Sequence, residues 1–367
     1  MRRLTFEEIA AITYGCESVC HVDGAVEFHR LPDALAVNYR KNEGSRIRLE
    51  CASCVRLRFY STTRRIRIGL RYGRAARPLF LGVITINGEQ IGVFGGGERS
   101  ERWEGTISIP AIRKPGLIEL WLPHLVRADL EFLEIDDDCE CLPAETFKQR
   151  WLALGDSITQ GMTATLPTRA WVARAAVSLG VDVRNYGIGG GRLEGFLADA
   201  DQGWLYDLLT VAYGINDFSG SRRPEELTAD AIRLLKRQAE AHPAATRVLI
   251  TPIPAPGRNN RNAAGRSLED YREALRYAAR GAPLCTVIEG PSLVPDDPRW
   301  FVDGVHPNDE GMNVFALNFV SAILMVDPQA LRLGRQAEVK GLTNNESAPR
   351  HDNRCHLPNR VHGSCSG

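Results

Sequence analysis

Four short stretches of this chain carry residues able to perform acyl chemistry, and they lie far apart in sequence. They are "LALGDSITQGMT" (152–163) with Ser157, "NYGIGGG" (185–191), "YGIND" (213–217) with Asn216, and "FVDGVHPNDEG" (301–311) with Asp303 and His306. A serine hydroxyl is a poor nucleophile until a base removes its proton, and an imidazole serves as that base only when its other nitrogen is held by an acceptor. His306 and Asp303, three residues apart, fit those two roles. Ester cleavage also needs donors where charge develops on the carbonyl oxygen; a glycine-rich loop offers unobstructed backbone N–H groups, and Asn216 offers a side-chain amide. Each signal has a plainer reading. "GDSIT" is neither a G-x-S-x-G elbow nor a phosphate loop, so Ser157 alone reads as a turn or cap serine. A D-x-x-H pair alone reads as a helix cap beside a surface histidine, and Asp156, next to Ser157, is a competing orienter for the imidazole.

The first three of these stretches fall at the ends of expected strands, and the fourth precedes the last expected helix. After Pro143, apolar runs such as "RWLALG", "VDVRN", "LLTVA", "RVLI" and "LCTVIEG" alternate with helical patterns: "PTRAWVARAAVSLG", "PEELTADAIRLLKRQAEAHP", "SLEDYREALRYAARG" with Ser267 and Asp270 as a capping pair, and the apolar "NDEGMNVFALNFVSAILMV". That alternation predicts a parallel sheet covered on both faces, with ligands bound beyond the carboxyl ends of its strands. Before Pro143 the period is two. Val55, Leu57 and Phe59 share one face against Arg56 and Arg58, and Ile66, Ile68, Leu70 and Tyr72 oppose Arg65, Arg67 and Arg71. Asn87-Gly88 between two apolar runs signals a hairpin. With little helical pattern after the first dozen residues, this half reads as an antiparallel sandwich, and its arginine rows as a solvated sheet face that discourages edge pairing.

Taken in order, the four blocks "GDSITQG", "NYGIGGG", "YGIND" and "DGVHPNDEG" resemble the SGNH, or GDSL, hydrolase family over about residues 148 to 326. The resemblance implies a three-layer α/β/α, flavodoxin-like fold and a serine hydrolase that cleaves carboxylic esters through an acyl-enzyme, with no metal or organic cofactor. On the same resemblance Ser157 is the nucleophile, His306 the base and Asp303 the triad acid, while Asp156 buttresses the turn. The oxyanion hole is the N–H of Ser157, the N–H of Gly190 and the amide of Asn216, with Gly187, Gly189 and Gly191 as neighbours that share the loop. The stretch "IELWLPHLVRADLEFLEIDD" before the serine block is similar to the end of the jelly-roll-like domain that some bacterial carbohydrate esterases carry. The expected organisation is therefore a sandwich over 1–145, a catalytic domain over 146–330, and a disordered tail over 331–367. A small acyl ester, such as an acetyl ester of a sugar or another hydroxylated small molecule, is the expected substrate. The alternatives are an acyltransferase built on the same triad and a catalytically inactive carbohydrate-binding protein.

Bulk properties agree with a small ligand. The 45 basic residues balance 45 acidic ones among 367, so no net field favours nucleic acid or an anionic membrane. The N-terminus has glutamates where a signal peptide needs an apolar run, and no later run is expected to reach membrane-spanning length; the expected location is cytoplasmic. Nine cysteines include the close pairs 16/20, 51/54 and 139/141. Reduced, mostly buried thiols are expected in preference to a zinc site, since only one pair has C-x-x-C spacing.

Overall fold

The computed structural model describes residues 1–326 except 98–99, 112–113, 201–202 and 259–260. The expected tail, with His351, His356, His362, Cys355 and Cys365, lies outside the described residues.

The period-two segments form two antiparallel six-stranded sheets. One runs in the order Ser18–Val22, Ala25–His29, Val126–Ile135, Arg65–Ala75, Arg102–Ser108, with Arg2–Arg3 also paired to Val126–Ile135; the other runs in the order Leu142–Pro143, Arg56–Ser61, Gly116–Trp121, Leu81–Ile86, Glu89–Gly95, with Thr13–Tyr14 also paired to Arg56–Ser61. Alternation puts Leu57 and Phe59 of one sheet and Ile66, Ile68 and Leu70 of the other into a single buried cluster. Asn87 and Gly88 both take positive φ, 51° and 84°, as the hairpin between Leu81–Ile86 and Glu89–Gly95 requires.

The arginine rows differ from one another. On Arg65–Ala75 they are solvated and paired, Arg65 with Asp136 and Arg67 with Glu134. On Arg56–Ser61 the expected solvated face is covered instead. Arg56 is buried over the rings of Trp121 and Phe147, Arg58 lies over Phe147, and both face Glu119. The linker carrying Phe147 closes that face; alternation reports a two-faced strand but not what covers the second face.

A second departure is helical. Asp33–Arg40 and Glu43–Glu50 are α-helices inside the half expected to be almost free of them, the second opened by Asn42, whose side chain accepts from the Ser45 N–H. Leu35, Ala36, Tyr39 and Leu49 from these helices bury themselves in the core of the following domain, not in that of the sandwich.

The alternating half forms a five-stranded parallel sheet in the order Asp182–Asn185, Arg150–Gly155, Leu208–Ala212, Thr246–Ile250, Cys285–Ile288. Strand order reverses between Arg150–Gly155 and Leu208–Ala212, and a crevice for ligand opens at such a switch point. Trp171–Leu179 ends at Gly180 in the left-handed conformation, and Leu268–Ala279 starts with the expected Ser267/Asp270 capping box. The last helix, Asp309–Val326, corrects the expectation about membrane-spanning runs: its length and mean hydropathy of 1.2 suffice by those measures alone. Met312, Phe315, Ala316, Phe319 and Ile323 nevertheless pack inward; Trp171 stacks on Phe315 at 4.3 Å and Trp151 on Phe319 at 5.3 Å. Those stacks hold the helix that starts three residues after His306. Of the described cysteines, only Cys51 and Cys54 are buried, so "mostly buried" does not describe them.

Phe319→Ala is expected to cost about 3–5 kcal/mol of stability, because the ring is enclosed by Trp151 and Trp171 and its removal leaves a cavity. Equilibrium denaturant unfolding measures this, and a loss under about 1 kcal/mol would contradict it.

Candidate active site

Ser157 opens the short helix Ser157–Gln160 directly after the strand Arg150–Gly155. Asp156 caps that helix through Oδ1, which accepts the Ile158 N–H at 2.9 Å, and Gly161 ends it at φ 84°. The turn therefore sets the serine at the sheet's carboxyl edge, beside the switch point. From 149 residues away, His306 Nε2 lies 2.8 Å from Ser157 Oγ, and His306 Nδ1 lies 2.8 Å from Asp303 Oδ2. A carboxylate at Nδ1 fixes the proton there, so Nε2 is the free acceptor facing the hydroxyl.

The second oxygen of Asp303 shapes its own turn, accepting from Val305 N at 3.1 Å and His306 N at 2.9 Å. Burial pushes the Asp303 carboxyl up, but these N–H bonds and the imidazole outweigh it and hold the pKa below the usual carboxylate range. Gly304 sits in this turn at φ 75°, where a Cβ would come within 2.7 Å of the Gly257 backbone; Gly257 N donates to Gly304 O at 3.1 Å. Thr163 Oγ1 donates to Pro307 O at 2.7 Å, and Asp309 accepts from Thr165 N at 2.9 Å and from Arg169 at 2.6 Å. The histidine segment is thus tied to the chain just past the serine.

Asp156 makes no such imidazole contact. Its carboxyl is buried, and desolvation, with Asp217 nearby, pushes its pKa up to about 7 although the Ile158 N–H pulls the other way. A folded-state value raised above that of the unfolded chain withholds stability as pH rises: the unfolded Asp ionises near pH 4 while the folded one stays protonated up to about 7. Asp156→Asn, which keeps an oxygen for the Ile158 N–H, is expected to flatten the decline in melting temperature between pH 4 and 7. A decline as steep as wild type, followed by calorimetry, would contradict this.

The loop after Asp182–Asn185 uses nearly all its amides internally. Gly187 N donates to Asn185 Oδ1 (2.8 Å), Ile188 N to Gly155 O (3.0 Å), Gly189 N to Gln160 Oε1 (2.7 Å) and Gly191 N to Ile188 O (2.8 Å). Gly190, at φ 78° with open space where a Cβ would project, is the one residue from 187 to 191 whose N–H has no acceptor among the described residues. Asn216 is the second residue of the short helix Ile215–Ser219, which follows Leu208–Ala212. Its Nδ2 donates to Gly191 O at 2.9 Å, which orients the amide and leaves a second N–H. Next to it, buried Asp217 pairs with Arg222 at 2.9 Å, and Arg222 also reaches Leu193 O at 2.5 Å, bracing the asparagine turn against the glycine loop.

All five residues singled out from sequence therefore sit on loops or short helices beyond one edge of the sheet, and Ser157, His306 and Asp303 form one hydrogen-bonded chain. Sequence reasoning passed over Gln160, though it lies inside the quoted serine block, and Arg30, which no local pattern marks. Among the described residues no group of three or more His, Cys, Asp or Glu could hold a metal ion.

Among curated proteins, no sequence matches this chain. Solved structures share its fold. A salicylyl-acyltransferase, SsfX3, from a tetracycline biosynthetic pathway is 22% identical with TM-score 0.81, over 90% of this chain and 99% of that one. A protein of Bacteroides ovatus described as a GDSL-like lipase is 18% identical with TM-score 0.72, over 89% and 97%. A family two carbohydrate esterase of Clostridium thermocellum, in complex with cellohexaose, is 14% identical with TM-score 0.59, over 75% and 93%. Residues 153–314 match the GDSL-like Lipase/Acylhydrolase family, the stretch that runs from the serine strand to the start of the last helix. Residues 153–314 of this chain form a GDSL-like lipase/acylhydrolase domain, the domain of a serine hydrolase.

Proposed function

We propose that the protein cleaves a small acyl ester, an acetyl ester of a sugar or similar hydroxylated molecule, through Ser157, His306 and Asp303. The observation that carries this reading is the pair of 2.8 Å contacts from Ser157 Oγ to His306 Nε2 and from His306 Nδ1 to Asp303 Oδ2. His306 Nε2 takes the Ser157 proton as Oγ attacks the ester carbonyl. The carbonyl π electrons move onto oxygen, which the N–H groups of Ser157 and Gly190 and the free N–H of Asn216 stabilise. Collapse of this intermediate expels the alcohol, protonated by His306, and leaves an acyl-serine. Water then attacks with His306 again as base, releasing the acid and restoring Ser157. Gly190 is the favoured glycine because its neighbours' amides are already used. The sugar part is supported by likeness of fold to the family two carbohydrate esterase in complex with cellohexaose.

The second reading, acyl transfer to an alcohol other than water, has its own support: the likeness to the salicylyl-acyltransferase spans both halves of the chain. The chemistry is identical up to the acyl-serine, so the acceptor alone separates the two. Incubation with an activated acetyl ester and a mixture of alcohols and sugars is expected to yield mostly free acetate; ester in large excess over acid would establish the transferase.

Ser157→Ala is expected to abolish hydrolysis of p-nitrophenyl acetate and of acetylated sugars, and activity surviving the substitution would overturn the assignment. Asp303→Asn should lower kcat by about 10⁴-fold, because the amide favours the wrong imidazole tautomer. Asn216→Ala should lower it by about 10²- to 10³-fold through loss of one oxyanion donor, with little change in KM. Steady-state kinetics on folded variants checks both; an Asn216→Ala effect confined to KM would remove Asn216 from the oxyanion hole.

A further inference from the structure

The loop that carries Gly190 is held from outside its own domain. Arg30, just past the sandwich strand Ala25–His29, is 1% exposed, and among the described residues no carboxylate pairs with it. Its guanidinium is satisfied by main-chain carbonyls. Nε donates to Cys51 O at 2.6 Å and Nη2 to Arg48 O at 2.9 Å, both on or beside the Glu43–Glu50 helix. On the other side Nη1 donates to Asn185 O, and both terminal nitrogens reach Gly187 O at 3.3 Å. Gln160, fully buried, makes a second bridge: Nε2 donates to Arg48 O at 2.7 Å while Oε1 accepts the Gly189 N–H at 2.7 Å.

A buried guanidinium without a counter-ion is a costly way to fill space, and apolar residues of similar volume often fill it at no loss of stability. What a planar five-donor fork does better is fix several peptide groups in one plane at once. Here it fixes residues 185 and 187, and Gln160 fixes 189. Between them and the Ile188–Gly191 turn, the Gly190 N–H alone is left without an acceptor among the described residues of this loop.

We propose that Arg30 is a positioning residue for the oxyanion hole, so that the N-terminal domain, through Arg30 and the Glu43–Glu50 helix, sets the direction of the Gly190 N–H. The proposal rests on the reading of Gly190 as an oxyanion donor. Its signature is kinetic. A misdirected donor weakens binding of the charged oxygen in the transition state far more than that of the neutral carbonyl, so kcat falls and KM does not.

The test uses the full-length chain with p-nitrophenyl acetate, comparing Arg30→Met, Arg30→Lys and Gln160→Leu, with working serines counted by stoichiometric fluorophosphonate titration. Arg30→Met is expected to lower kcat per titrated site about 10- to 100-fold at unchanged KM, the scale of an ångström-sized misplacement. A trifluoromethyl ketone, whose adduct presents an oxyanion, should lose affinity by the same factor, and Arg30→Lys, which keeps charge and donors, should recover part of it. A merely structural role would reduce the number of titrated sites and leave kcat per site at the wild-type value, which overturns the proposal. If Arg30→Met yields no folded protein, Gln160→Leu decides by the same measurement, and wild-type kcat per site there overturns it equally. Ser157→Ala run in parallel separates the failures: activity in that variant defeats the esterase reading, whereas an inactive Ser157→Ala beside wild-type Arg30 variants defeats only this inference.

Discussion

A hydroxyl and an imidazole separated by 149 residues of chain stand 2.8 Å apart, and that contact is the constraint the catalytic half is built around. Neither partner is rigid by itself. Ser157 is held by a four-residue helix with an aspartate at one end and a left-handed glycine at the other. His306 is held by a turn whose Asp303 carboxylate accepts two backbone N–H groups as well as the imidazole, and by a glycine that lets the 257 loop approach. The two are brought into register by packing. Trp151 and Trp171, on the serine side, stack on Phe319 and Phe315 of the final helix. Contacts from Thr163, Thr165 and Arg169 to Pro307 and Asp309 close the remaining gap. Close-packed aromatic cores transmit position because they tolerate little displacement.

The boundary between the halves is less sharp than a linker between two folds suggests. Tyr39 and Leu49 belong to the hydrophobic core of the parallel-sheet domain, although they precede most of the sandwich in sequence. Around them the polar contacts cross as well: Arg184 and the Tyr186 hydroxyl meet Glu17, and His124 meets Gly161 O at 3.1 Å. Burial drives the His124 imidazole down to about 4, so it stays neutral across physiological pH and adds no charge to the interface. Contacts on this scale make the sandwich part of the catalytic half's foundation, and relative motion of the two, ordinarily the default for linked domains, is opposed by a shared core.

The secondary structure was largely legible in the sequence because its signals are local. Period two marked the sandwich strands, Asn87-Gly88 marked a hairpin, and Pro167, Gly180 and the Ser267/Asp270 pair marked helix ends. What local pattern misjudged was coverage. Arg56 and Arg58 alternate with apolar residues just as solvated arginines do, yet Phe147 and Trp121 close over them. The helices Asp33–Arg40 and Glu43–Glu50 left little periodic signal because each spans only eight residues, about two turns, and they answer to a core contributed mainly by residues more than a hundred positions later.

For the site, residue types and their order along the chain determined which groups to consider: a serine, a glycine-rich loop and an amide, each following an expected strand, then a carboxylate and an imidazole before the last expected helix. Sequence could say that such groups suit acyl chemistry, because the chemistry depends on side-chain identity. It could not select among four glycines in one loop, nor between Asp156 and Asp303 as the residue facing the imidazole by geometry. Those choices depend on directions and distances. Only the folded chain shows Asp156 turned to the Ile158 N–H, Asp303 turned to His306, and every amide from 187 to 191 but that of Gly190 already bonded. Arg30 left no local mark for a related reason: a side chain that bonds only carbonyl oxygens meets a feature every residue has, so its partners are chosen by tertiary position alone.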